Sequence, residues 1–178
     1  MDVLSAIMKR REITKFTQES IPNELMNQLV KAAYLSPSGN NLPSREFIVV
    51  TDRGKLSQLT STTPYMKWLK DAAAAVVIVG NQQMSKYWLQ DASIAGGFLW
   101  LAAVSKGLGA AWGAVYHAED EQESATREKY VREYLNIPDH LRVVAIIGLG
   151  YPALETDPKE MYALERVLHR EKYEEKME

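Results

Sequence analysis

Apolar positions along this chain fall into blocks of changing period, and the longest block occupies residues 86–116. Within residues 92–104 only Ser93, Gly96 and Gly97 interrupt the apolar side chains, which predicts a helix that is apolar on nearly every face and buried all round. Two glycines inside a helix cost about 1 kcal/mol each relative to alanine, so another backbone or a flat ligand should come close to Gly96 and Gly97. Gly107 supplies a left-handed cap, and residues 108–116 read as a strand with a second glycine point at Trp112, Gly113 and Ala114.

The flanking blocks are shorter. Val3, Leu4, Ile7 and Met8 mark one face of a first helix that runs into a basic cluster, Lys9, Arg10 and Arg11. Pro22 starts a second helix whose buried face is Leu25, Met26, Leu29, Val30 and Ala33; it stops at SPSGNNLP (36–43), a run of turn formers. Residues 47–50 form a short strand, 55–59 a surface helix and 64–70 an amphipathic piece, and AAVVIVG at the end of 73–80 suits a strand covered on both faces. An acidic linker (117–123), a polar helix to about Leu135, a break at Asn136-Ile137-Pro138 and a core strand at 143–149 complete the core. Beyond Ala153 the chain is charged, with one small apolar cluster at Leu164, Val167 and Leu168, so it should lie along another surface. Helices outside a sheet of about four strands make an α+β layer, one domain without internal repeats.

Composition narrows the chemistry. The 178 residues carry a net charge of -2, which gives no electrostatic reason to expect a nucleic-acid partner. There is no cysteine, so disulfides, thiol nucleophiles and Cys-ligated metals are excluded. The N-terminus has no apolar signal region, and the run from Ala92 falls short of the about 20 residues needed to span a bilayer, so a cytoplasmic protein without membrane partners is expected.

Familiar motifs fail on context. Gly107, Gly109 and Gly113 follow a helix and precede a strand, the reverse of a dinucleotide-binding loop, and Tyr151-Pro152 stands where a helix would have to follow Gly148-x-Gly150. His117, His140 and His169 lack metal-type spacing and read as surface or capping residues. Without a nucleophile elbow or a thiol, the chemistry should come from a cofactor.

Six segments, taken in order, carry a family resemblance. KRREITKF (9–16), SPSGNNLPSREFIVV (36–50), TPYMKWLKDAAAAVVIVGN (63–81), DASIAGGFLWLAAVSKGLGAAWGAVY (91–116), LNIPDHLRVVAIIGLGYP (135–152) and LERVLHREKY (164–173) together resemble a small subgroup of the nitroreductase-like family of FMN-dependent NAD(P)H oxidoreductases, over nearly the whole chain. The resemblance implies an α+β sandwich spanning residues 1–178 as one domain, with a small, mostly antiparallel sheet flanked by helices. It further implies an intertwined homodimer whose C-terminal tail (153–178) crosses to the partner, with two FMN molecules at the interface. The central helix would pack on its counterpart at Gly96-Gly97 across the two-fold axis.

The same resemblance assigns cofactor-binding residues. Arg10 and Arg11 match the phosphate-binding cluster, although neighbours on a helix point about 100° apart and converge only if the helix ends there. Pro37, Ser38 and Asn41 match a loop that reaches the flavin from the partner, Gly113 and Ala114 match the backbone beside the flavin N5, and Lys159 matches a tail lysine near the phosphate. Glu12 and Thr14 stand where the family carries serine and arginine; Glu12 either accepts from the ribityl hydroxyls or turns away, and phosphate binding should be weaker. Pro43-Ser44-Arg45 replaces the usual Gln-Pro-Trp, and Met161 a tail arginine; Arg45 could restore a lost charge.

The implied activity is a ping-pong transfer from NADH or NADPH to a quinone, a nitroaromatic or a related small oxidant. No side chain is obliged to act as acid or base, so no catalytic residue is nominated. The alternatives are a flavin-binding or flavin-modifying dimer that does not turn over NAD(P)H, and a flavin-free dimeric interaction protein.

Overall fold

The fold is described by a computed structural model covering residues 1–157 and 160–175. Its centre is a four-stranded antiparallel sheet, β1 (Arg45–Val50), β2 (Ala74–Gly80), β3 (Gly109–Ala114) and β4 (Arg142–Gly150), in the order β1-β2-β4-β3. The apolar run of β2 is buried throughout because both faces are covered, as its unbroken hydrophobicity requires. Ala74, Val76 and Ile78 face α2 (Asn23–Tyr34) and α4 (Trp88–Ser105). Ala75, Val77 and Val79 face α3 (Arg53–Leu59), a 3-10 segment (Pro64–Asp71) and α5 (Glu121–Leu135). A β-bulge between Ile78 and Val79, opposite Ala145 and Val143, leaves Val144 as the extra residue of β4.

Helix ends follow the turn chemistry. Gly107 (φ 80°) ends α4 in a Schellman arrangement: its N–H donates to Val104 O at 3.0 Å, and the Leu108 N–H donates to Ala103 O at 2.9 Å. Asn136 (φ 55°) does the same for α5, with the Ile137 N–H reaching Arg132 O at 3.0 Å.

Two expectations for the helices change. Helix α4 is not buried all round within one chain: Ile94 and Phe98 are 41% and 43% exposed, and Gly97 beside them has open space where a Cβ would sit. Gly96, by contrast, is filled from inside the same chain, because a Cβ there would collide with the Trp112 ring. The apolar face of α1 (Val3–Lys9) also points outward; Val3, Leu4, Ile7 and Met8 are exposed and only Ala6 is buried. Periodicity identified the apolar face of α1 but not what it lies against, and the unbroken apolar run of α4 gave no sign of which side stays exposed.

One ion network joins α5 to the sheet. Glu128, 1% exposed, accepts from Arg142 Nε (2.9 Å) and Nη2 (2.7 Å), the Val143 N–H (3.0 Å) and the Ser124 hydroxyl (3.0 Å). Burial alone would raise the Glu128 pKa, but the bonds and charge of Arg142, with the Val143 and Ser124 donors, outweigh it and hold the carboxyl below the ordinary value of 4.5. A lowered carboxyl pKa stabilises the fold above the unfolded-state value and ceases to do so as the pH falls through the folded-state value. Urea unfolding should therefore show a stability loss that begins below about pH 4.5, and this acid-dependent component should vanish in Glu128→Gln. That variant leaves Arg142 without its counter-charge and should lose about 3 kcal/mol at neutral pH.

Candidate functional site

Helix α1 ends at Lys9 and the chain turns extended at Arg10 (ψ 125°), so the two arginines are freed from helical geometry. They separate. The Arg10 guanidinium lies 5.0 Å over the Trp100 ring of α4 and, among the described residues, meets no hydrogen-bond acceptor. Arg11 instead donates from Nη1 to Met8 O (2.8 Å) and Arg10 O (2.7 Å) and from Nε to Asp157 O (2.9 Å). It thereby caps the last carbonyls of α1 and ties down the start of the tail.

Residues 12–16 then form a strap over the edge strand β3. Glu12 bridges Ala110 in parallel, the Ile13 N–H donates to Ala110 O at 2.9 Å, and Phe16 pairs with Pro152. Ile13 and Phe16 point inward while Glu12 and Thr14 are exposed. Beyond the strap the outer edge of β3 carries no strand among the described residues. Because Ala110 turns its carbonyl outward, the alternation along a strand turns the N–H groups of Trp112 and Ala114 outward too and that of Gly113 toward β4. The space where a Cβ of Gly113 would sit is filled by the Met66 side chain of the same chain.

The loop between α2 and β1 is clamped from two sides. Asp91, in the first turn of α4 and 2% exposed, accepts from the Gly39 N–H (2.9 Å), Ser44 Oγ (2.5 Å) and Ser85 Oγ (3.2 Å). Arg45 donates from Nη2 to Ser36 O, Ser36 Oγ (3.1 Å) and Tyr34 O (3.3 Å) and from Nη1 to Leu42 O (3.3 Å). Within one chain the Arg45 guanidinium is thus held on this loop, away from the strap. Ser38 Oγ donates to Leu42 O (2.8 Å), Pro37 is exposed, and Asn40 and Asn41 hold left-handed backbones (φ 53° and 56°) with exposed side chains.

Within one chain these features stay apart. Roughly 14 Å of α4 axis separates Asp91, under the loop, from Trp100, under Arg10. Lys159 lies outside the described residues. A cleft of about 780 Å³, lined by Met8, Lys9, Arg11, Leu108, Pro152 and Leu154 among others, sits at the Gly109 end of β3, away from the open edge at Trp112 and Ala114. Among the histidines, His117 and His169 accept backbone N–H groups from Asp120 (3.1 Å) and Glu174 (3.2 Å).

A model described as the nitroreductase family matches residues 7–61 and 54–151. The chain belongs to the nitroreductase family. It is 36% identical over 97% of its length to a provisionally named NADH dehydrogenase/NAD(P)H nitroreductase of Methanothermobacter thermautotrophicus, 88% of which is covered. Among solved structures, a protein of the same provisional name from Bacteroides thetaiotaomicron is 33% identical, with a TM-score of 0.88 over 96% of this chain and 98% of that one. An FMN-dependent nitroreductase from Clostridium difficile is 31% identical, with a TM-score of 0.86 over 96% and 99% of the two chains.

In this nitroreductase, sequence reasoning missed Asp91, which holds the loop, and Trp100, whose ring lies under Arg10. A carboxylate in the first turn of an otherwise apolar helix was the available signal for Asp91, since negative charge is favoured at a helix N-terminus. For Trp100 there was no signal, because an aromatic in an apolar run reads as core. Asp91→Ala should leave the Gly39 and Ser44 donors unpaired, lower unfolding free energy by about 2 kcal/mol and speed amide exchange at Gly39. Protection at Gly39 equal to wild type would show that the loop stands without the carboxylate.

Proposed function

We propose that this nitroreductase is an FMN-dependent NAD(P)H oxidoreductase that works as a cytoplasmic homodimer and reduces quinones, nitroaromatics or related small oxidants in a ping-pong cycle. The observation that carries the reading is a cation with no acceptor among the described residues, just before the strap over β3: Arg10 over Trp100, with the outward N–H groups of Trp112 and Ala114 farther along the strand. These donors fit the group. Arg10 would hold the phosphate, Trp112 and Ala114 would offer N–H groups to ring-edge acceptors, and Lys159 would add a second cation at the phosphate. Arg11 would act indirectly, by fixing the helix end and the tail.

Bound FMN would supply the redox chemistry, accepting hydride equivalents from NADH or NADPH and releasing them to the oxidant. The chain's own task is to bind, orient and exclude water. Pro37, Ser38 and Asn41 would come from the partner subunit's copy of the clamped loop, since one chain keeps loop and strap apart. Glu12 and Thr14 face solvent beside the phosphate-binding residues, and the Glu12 charge would oppose a phosphate there.

The homodimer is supported by the outward apolar faces. Ile94 and Phe98 on α4, Val3, Leu4, Ile7 and Met8 on α1, and Leu164, Val167 and Leu168 in the tail are all exposed in one chain. Such surface marks an interface rather than a solvated face. Phe98→Lys, tolerated within one chain, should move the protein from dimer to monomer in light scattering and reduce flavin content; a dimer of wild-type strength would rule this face out.

Purified protein should be yellow and should oxidise NADH or NADPH steadily with menadione or a nitrofuran. Yellow protein inert with both nucleotides would favour a flavin-binding or flavin-modifying role. Colourless protein that fails to quench FMN fluorescence would favour a flavin-free interaction protein.

A further inference from the structure

Trp100 is the residue whose chemistry the fold leaves unexplained. It lies two turns beyond the loop-clamping end of α4, is only partly buried, and keeps its indole N–H shielded without an acceptor among the described residues. Its ring face is what it offers, and the group 5.0 Å above that face is the Arg10 guanidinium. A long arginine side chain leaving a helix end has many rotamers, and ordering it costs conformational entropy that weakens any anion it binds. A flat, electron-rich ring beneath it removes much of that cost in advance, and it leaves the edge N–H donors free because stacking uses the cation's face.

We propose that Trp100 is a positioning residue for the cofactor phosphate: it holds the Arg10 guanidinium in place so that a single arginine can bind a phosphate monoester. The division of labour in the strap makes this necessary. Arg11 has committed Nε and Nη1 to carbonyl oxygens, Arg45 has committed Nη1 and Nη2 to the Ser36 loop, and the next charged side chain is the carboxylate of Glu12. Just before the strap, the Arg10 guanidinium has no acceptor among the described residues. Trp100 touches Arg10 and is assigned no contact with the flavin, so its effect should follow the phosphate and not the ring system.

This inference rests on the FMN reading above, and riboflavin, which lacks the phosphate, separates the two. Fluorescence-quenching titrations of the full-length apoprotein with FMN and with riboflavin should show Trp100→Leu binding FMN about tenfold more weakly, with riboflavin binding unchanged. Trp100→Phe, whose ring is a weaker cation partner, should fall between wild type and Trp100→Leu for FMN and should likewise leave riboflavin alone. Arg10→Met should show the same selective loss, and adding Trp100→Leu to it should cost little more. Equal weakening of FMN and riboflavin in either Trp100 variant, or additive losses in the double variant, would reduce Trp100 to a packing residue and overturn the proposal. Wild-type protein that quenches neither flavin would remove the FMN reading and this inference with it.

Discussion

The seat of the Trp112 ring against Gly96 sets the spacing on which the rest of the molecule depends. Any side chain at position 96 would collide with that ring, so α4 lies closer to the sheet there than a helix with a Cβ could. That approach buries Ala92, Ala95, Leu99 and Ala103 against β2, β3 and β4. It also decides which face of α4 is left over. Ile94, Gly97 and Phe98 turn outward because Gly96 and its neighbours turn in, and Trp100 comes to lie beneath the end of α1.

Charge is used in this protein mostly to hold backbone. Asp91 accepts one N–H and two hydroxyls, Arg45 and Arg11 donate to carbonyl oxygens, and Glu128 joins Arg142 to the Val143 N–H. Each fixes a segment that has no regular partner: the loop before β1, the end of α1, and the junction of α5 with β4. Buried charge is costly unless it is paired in this way, so these residues tolerate little change although they need make no contact with a ligand. Against that background Arg10 stands out by its lack of an acceptor among the described residues.

Much of the architecture was legible because local chemistry and burial agree. The run AAVVIVG could only be a strand covered twice, Gly107 and Asn136 could adopt the left-handed caps they do, and the strand at the end of the chain's core extends by one residue at each side of the apolar block. The site was less legible. Its family-assigned residues could be named from their order along the chain, but Asp91 sits beneath a loop 52 residues earlier, and a carboxylate in sequence carries no mark of the partner that buries it. Likewise, nothing in the sequence around Gly113 marks the Met66 side chain that lies where its Cβ would sit.

By itself the sequence determined the α+β class, most of the elements and the family, because hydrophobic period, turn residues and motif order are local properties written along the chain. Only the tertiary structure decided how the two arginines divide, that Arg45 clamps its own loop, that Gly96 receives Trp112 from the same chain, and that the apolar faces of α1 and α4 look outward. Those outcomes depend on which distant residue arrives at which side chain, and periodicity gives the direction of a face without giving its neighbour.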